Sequence, residues 1–261
     1  MNPSVLFVFI LSILLGVLRA ADLAFGTDAV TGLCVVGSVW WRYLALGIVV
    51  LAAVLVGRTQ PSHSEAVRSR RPLAGILAFV GAVCFLAAAG AQIALGAASG
   101  LGGFVRCILE CLCSAWLSTM GRCWLSHNEW KKPFGGLYLA VAGSLLFYWN
   151  VLMRFMENSS SWHRVTPTAA VWQALAALVF LAALARALHV PQPGNGKTLC
   201  AAGLAAFALC LCWQLPHVLV LMSGLSWAAP AVWPEIFAGL GLCCVGGIGG
   251  ACVTACLNGE S

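Results

Sequence analysis

Eight apolar runs of about twenty residues, roughly 3 to 21, 39 to 57, 73 to 97, 104 to 125, 134 to 156, 167 to 189, 198 to 222 and 235 to 257, leave this chain few folds to choose from. A helix that crosses a bilayer needs about 20 apolar residues. In hydrocarbon every backbone N–H and C=O must be paired inside its own segment, which a helix does and an open sheet does not. The expected fold is therefore an all-α polytopic bundle of about eight transmembrane helices, one membrane domain over residues 1–261. Eight spans and their turns consume nearly the whole chain, so no soluble catalytic domain fits beside them. Composition agrees: 61% of residues are hydrophobic and 8% charged, against about 25% charged in soluble domains.

The first run could be a signal peptide ending near Ala20 or Ala21. Met1, Asn2, Pro3 and Ser4 supply no positive n-region, which favours a retained helix. Basic residues then orient the bundle. Nine of the fourteen fall in alternate loops on one side (Arg58, Arg68, Arg70, Arg71, Arg122, Lys131, Lys132, Arg186 and Lys197). By the positive-inside rule that side, with both termini, is cytoplasmic. A charge of +6 distributed in this way reports orientation, and no nucleic-acid partner is expected.

Polar residues inside the spans are expensive and normally face the bundle interior. At 1.5 Å per residue, Glu110 and Asn150 lie about 9 Å below the outer ends of spans 4 and 5. Gln92, Gln173, Gln214 and His217 come out at roughly 8 to 12 Å on spans 3, 6 and 7. Five helices thus carry polar groups at one level, while the inner halves hold only Ser, Thr and Cys with Arg186 near an end. If the helices surround one centre, these groups form an outer vestibule flanked by Arg42, Arg106 and Arg154. The bland reading is that each makes its own interhelical hydrogen bond.

Span 4 repeats Arg106, Glu110, Ser114, Ser118 and Arg122 every four residues, a polar stripe running along one helical surface. Glu110 can pair with Arg106 or with Arg154. Span 7 contains Pro216 beside Gln214 and His217, and proline frees a carbonyl one turn earlier and can kink the helix. Span 8 carries Gly239, Gly241, Gly246, Gly247, Gly249 and Gly250; small residues at such spacing let backbones approach, within the bundle or across a homo-oligomer or membrane-partner interface. Of eleven tryptophans, eight fall toward the outer side, more than a symmetric interfacial belt requires, so some are expected to line the interior. The outer loop around Asp22, Gly26, Asp28 and Gly32 could cap the vestibule.

A weak internal echo links Arg19-x-x-Asp22 and Trp40-x-Arg42 with Arg154-x-x-Glu157 and Trp162-x-Arg164. Thirteen cysteines lie mostly in apolar runs without a Cys-x-x-Cys, which reads as packing. Gly194-Asn195-Gly196-Lys197-Thr198 lacks the first glycine and the preceding strand of a phosphate loop. His127-Asn128-Glu129 lacks the spacing of a zinc protease, and Asn158-Ser159-Ser160 fits a glycosylation acceptor. No metal, cofactor or catalytic residue is assigned, although Glu110 with His217 could in principle do acid and base work. The expectation is a small-molecule transporter or permease-like protein with an outer polar vestibule; the alternative is a non-transporting sensor or assembly subunit binding a ligand or partner helix. A continuous water path along span 4 favours transport, and a sealed inner half favours sensing.

Overall fold

The computed structural model describes residues 2–27, 33–60, 63–96, 100–126, 132–156, 165–190, 192, 194–223 and 232–258. Its helices are α1 (Pro3–Ala21), α2 (Val39–Thr59), α3 (Pro72–Ala94), α4 (Gly100–Leu125), α5 (Gly136–Met156), α6 (Val165–His189), α7 (Asn195–Ala206), α8 (Gln214–Ser223) and α9 (Trp233–Asn258). A π-helical segment, Phe207–Trp213, joins α7 to α8, so the nine helices make eight spans long and apolar enough to cross a membrane. The chain is an integral membrane helical bundle. Outside the described residues lie several features singled out above: Asp28, Gly32, the His127 to Glu129 segment, Trp130, Lys131, Glu157, the Asn158 acceptor, Trp162, Arg164 and Trp227. Apart from Arg154, the second half of the internal echo is among them.

Local sequence sets the helix starts. Asn2 accepts a hydrogen bond from the Ser4 N–H and Pro3 opens α1, while the Ser38 side chain accepts from the Trp40 N–H at the start of α2. Pro72 opens α3, where a missing N–H costs nothing. Gly194, with φ of +91°, turns the chain into α7.

Helices α3, α4, α5, α6, α7 and α9 pack in a closed ring, each touching the next and α9 touching α3; α1 and α2 lie outside it against the seventh span. Lipid-facing and core-facing residues are equally apolar, so close backbone approach rather than hydrophobicity drives this packing. A Cβ at Gly57 would sit 2.3 Å from the Ala201 Cα, and one at Gly203 would sit 2.9 Å from the Gly249 carbonyl oxygen. The glycines of α9 that meet such neighbours meet them within the chain: Phe85 at Gly241, Leu211 and Ala206 at Gly246, Phe207 at Gly250. Their spacing is explained by α9 being a central, mostly buried helix.

The two ends of the bundle differ. Toward the chain termini, Trp116, Met120, Trp124, Phe180, Leu181, Leu184 and Ile248 are each 1% exposed or less and fill the ring. A short 3-10 turn, Ser64–Arg68, closes that end from below: the Trp124 indole N–H donates to the Val67 carbonyl at 3.0 Å. Arg68 donates to the Ala187 and Leu188 carbonyls at the C-terminal end of α6, where helix carbonyls want a cation. Arg71 binds the Ala66 carbonyl. Two of the basic residues that orient the chain are therefore also structural caps.

Candidate functional site: a polar cavity at the distal end

At the end away from the termini the ring opens around a cavity of about 410 Å³. Gln92, Arg106, Glu110, Asn150, Arg154, Gln173, Gln214 and His217 all line it. Of the residues expected at an outer vestibule, only Arg42 lies elsewhere. Phe85, Phe147, Trp149 and Trp213 provide aromatic wall, which places two of the distal tryptophans inside the bundle. Trp40 and Trp41 instead point outward from the start of α2.

One wall is a carboxylate that accepts three hydrogen bonds from two donor groups. Glu110 is 1% exposed. The Gln92 Nε2 donates to both of its oxygens, at 3.0 and 2.9 Å, and Arg106 Nε donates to Oε1 at 3.1 Å. Arg106 is thus the ion-pair partner across one helical turn. Cys107 Sγ lies 3.7 Å from the Gln92 oxygen and 3.9 Å from the Ala89 carbonyl, a weak S–H contact on the acceptor side of the amide.

The polar stripe of α4 does not continue downward as a lined path. Ser114, the next member, is buried with its hydroxyl donating to the Ala82 carbonyl of α3 at 2.7 Å. Below it the packed aromatic layer begins.

The seventh span supplies the floor and part of a second wall. Gln173 Nε2 donates to the Leu209 carbonyl at 3.0 Å, inside the π-helical segment, and to the Gln214 side-chain oxygen at 2.9 Å. Pro216 lacks the N–H that would normally reach Cys212, and α1 comes so close there that a Cβ at Gly16 would lie 2.6 Å from the Cys212 carbonyl oxygen. His217 Nε2 stands 3.6 Å from a carboxylate oxygen of Glu235, at the start of α9. Single π-helical turns inside α-helices occur frequently at functional sites.

Sequence reasoning missed Arg19, Thr166 and Glu235, all of which line the cavity. Arg19 is 2% exposed; its Nη1 donates to Asp22 at 2.7 Å, its Nη2 to the Thr166 hydroxyl at 3.0 Å, and its guanidinium lies 4.7 Å from the Trp213 ring centroid. Such a cation over an indole face is attracted by the ring quadrupole. Asp22 also accepts from Arg42, through Nε at 2.8 Å and through Nη2. Arg42 reaches on to the Gly26 and Val36 carbonyls, so it fastens the chain after α1 instead of flanking the cavity.

The thirteen cysteines are free thiols, nine of them buried, and among the described residues no group of three or more His, Cys, Asp or Glu is placed to hold a metal ion. The cavity therefore presents buried amides, one ion-paired carboxylate, a second carboxylate beside a histidine, guanidinium groups and aromatic faces. Compared with known proteins, the chain matches no family model, no curated protein and no solved structure.

Proposed function

We propose that the protein binds a small polar organic molecule in the distal cavity, and that it does so as a membrane sensor or assembly subunit rather than as an open conduit. What carries this reading is the polarity of the two halves: a 410 Å³ cavity ringed by charged and amide side chains stands directly above a layer of aromatic and aliphatic side chains packed to 1% exposure or less. Concave sites of about 300–1,000 Å³ with a few convergent polar groups are the usual form of a small-molecule pocket. The excess of basic residues in the loops near the termini supports placing that end in the cytoplasm, so the ligand arrives from outside. Three arginines, Arg19, Arg106 and Arg154, against two glutamates, Glu110 and Glu235, line the cavity, an excess of positive charge that favours a ligand with an anionic group, and the aromatic walls favour one with an apolar body.

A second reading, a permease-like carrier open to the outside, is supported by the interrupted seventh span. The π-helical segment and Pro216 make it a broken helix beside the cavity, a common feature of transporter sites. One experiment separates the two. Purified protein is screened by thermal shift against a panel of organic acids, amino acids and sugars, and any stabilising compound is then offered, radiolabelled, to sealed proteoliposomes. Saturable binding lost in Arg154→Gln, without accumulation inside, fits the sensor; accumulation fits the carrier. If no compound in the panel stabilises the protein and impermeant reagents do not enter the cavity, the binding reading fails.

A further inference from the structure

A second concavity, of about 350 Å³, lies on the opposite side of the seventh span from the ring axis, between α2, α6 and α7. Spans α2 and α6 both border it but barely touch, because α2 is pinned to α7 where Gly57 meets Ala201. The alanines Ala201, Ala202 and Ala205 form a shallow floor, and Val54, Leu175 and Val179 form walls, the latter two well exposed at the bundle surface. The cleft therefore opens toward the hydrocarbon, not toward the cavity.

Its polarity is ordered. The polar groups Arg58 and Thr198 sit at one end, both exposed, and that end is the one toward the chain termini. The first turn of α7 starts there as well, and a helix N-terminus carries partial positive charge. From that end the cleft runs along α2 from Arg58 to Val50, about 12 Å at 1.5 Å per residue. Charge at one end and an apolar trough beyond it is the complement of a single amphiphile with an anionic head. A helix with its side chains is about 10 Å across, too wide for a trough of this volume.

We infer that this cleft is a binding site for an anionic phospholipid, with its phosphate at Arg58 and Thr198 and one acyl chain along Val54, Ala202 and Val179. The occupant is held by hydrocarbon contact and a charge-assisted headgroup contact, as in basic lipid pockets between transmembrane helices. The site is independent of the distal cavity and of any ligand there.

The test uses the full chain purified in a neutral detergent, with phosphatidylglycerol and phosphatidylcholine supplied in competition and retained lipid measured by native mass spectrometry. The native protein is expected to retain phosphatidylglycerol at least fivefold over phosphatidylcholine. Arg58→Gln, at an exposed position, should bring the ratio near one without changing the melting temperature in detergent alone. Val54→Trp, which fills the trough, should reduce retention of both lipids. Equal retention of the two lipids by the native protein, or an unchanged ratio in Arg58→Gln, overturns the inference. A two-chain species lost in Val54→Trp overturns it in favour of self-association through the cleft.

Discussion

One amide nitrogen of Gln92 donates to both carboxylate oxygens of Glu110, joining α3 to α4 at the rim of the distal cavity. With Arg106 one turn earlier on the same helix, the carboxylate has a partner on each side. This is an interhelical clamp as well as a piece of cavity wall, and its two roles make different predictions.

Replacing Glu110 by Gln keeps the shape but sets an amide NH₂ against the Gln92 donor. Loss of a charge-assisted hydrogen bond at a buried site costs about 1.5–3 kcal/mol, so the melting temperature should fall by several degrees. Arg106, with 38% of its side chain exposed, contributes less because solvent screens it. Arg106→Gln should therefore cost little once Glu110→Gln is present, and less than in the native background. A double-mutant cycle on thermal stability measures this; strictly additive losses would show that the pair is not coupled.

The arginines around Asp22 should be unequal in a way the sequence does not announce. Arg19 is buried with Asp22 as its ionic partner, while Arg42 is more open and also holds two backbone carbonyls. Removing one partner of a buried pair costs about 3–5 kcal/mol because the other charge is left uncompensated. Asp22→Asn should therefore be more destabilising than Arg42→Gln, and Thr166→Val milder than Asp22→Asn. Ranking the three by fluorescence-detected unfolding decides it; an Arg42→Gln loss as large as that of Asp22→Asn would contradict the burial argument.

Depth was legible in the chain and rotation was not, and the difference explains most of what was found and missed. Runs of about twenty apolar residues report span positions directly, and the observed spans begin and end within five residues of the expected limits. The fixed rise per residue likewise places Gln92, Glu110, Asn150, Gln173, Gln214 and His217 at one level, and in the structure they share one cavity. Which way a side chain faces is another matter, since both lipid and core are apolar and leave little periodic signal. Arg19 and Arg42 stand similarly close to the distal ends of neighbouring helices, yet only Arg19 turns to the cavity. The glycines of α9 look the same in sequence whether they meet a helix of the same chain or of another. The π-helical segment at Phe207–Trp213 has no sequence signature beyond the nearby Pro216.

That packing role of glycine gives a sharp contrast between two positions. At Gly246 a Cβ would lie 2.5 Å from the Leu211 backbone nitrogen and 2.9 Å from the Ala206 carbonyl oxygen, with no flexible side-chain end to move aside. Gly246→Val should prevent stable assembly of the bundle. At Gly47 on α2 a Cβ meets nothing within 4 Å, so Gly47→Ala should be neutral or stabilising by up to about 1 kcal/mol through helix propensity. Expression level and size-exclusion profile of the two variants in one detergent make the comparison; a well-folded Gly246→Val would mean that α7 and α9 are not packed backbone to backbone.

The asymmetry between the two halves of the bundle predicts a pattern of chemical access. In a background with every cysteine replaced by alanine, a cysteine at Asn150 should react with a charged, membrane-impermeant thiol reagent, because that position lines the distal cavity. A cysteine at Met120, buried in the layer beneath, should stay unreactive in the folded protein from either side and react after denaturation. Adding the reagent to intact cells should label the Asn150 position if the charge bias of the loops sets the orientation, whereas labelling only after the cells are opened would place the cavity on the cytoplasmic side. Reaction at Met120 in the folded state would mean that water passes the aromatic layer. In that case the sealed terminal half is one of two alternating arrangements, and the carrier reading replaces the sensor.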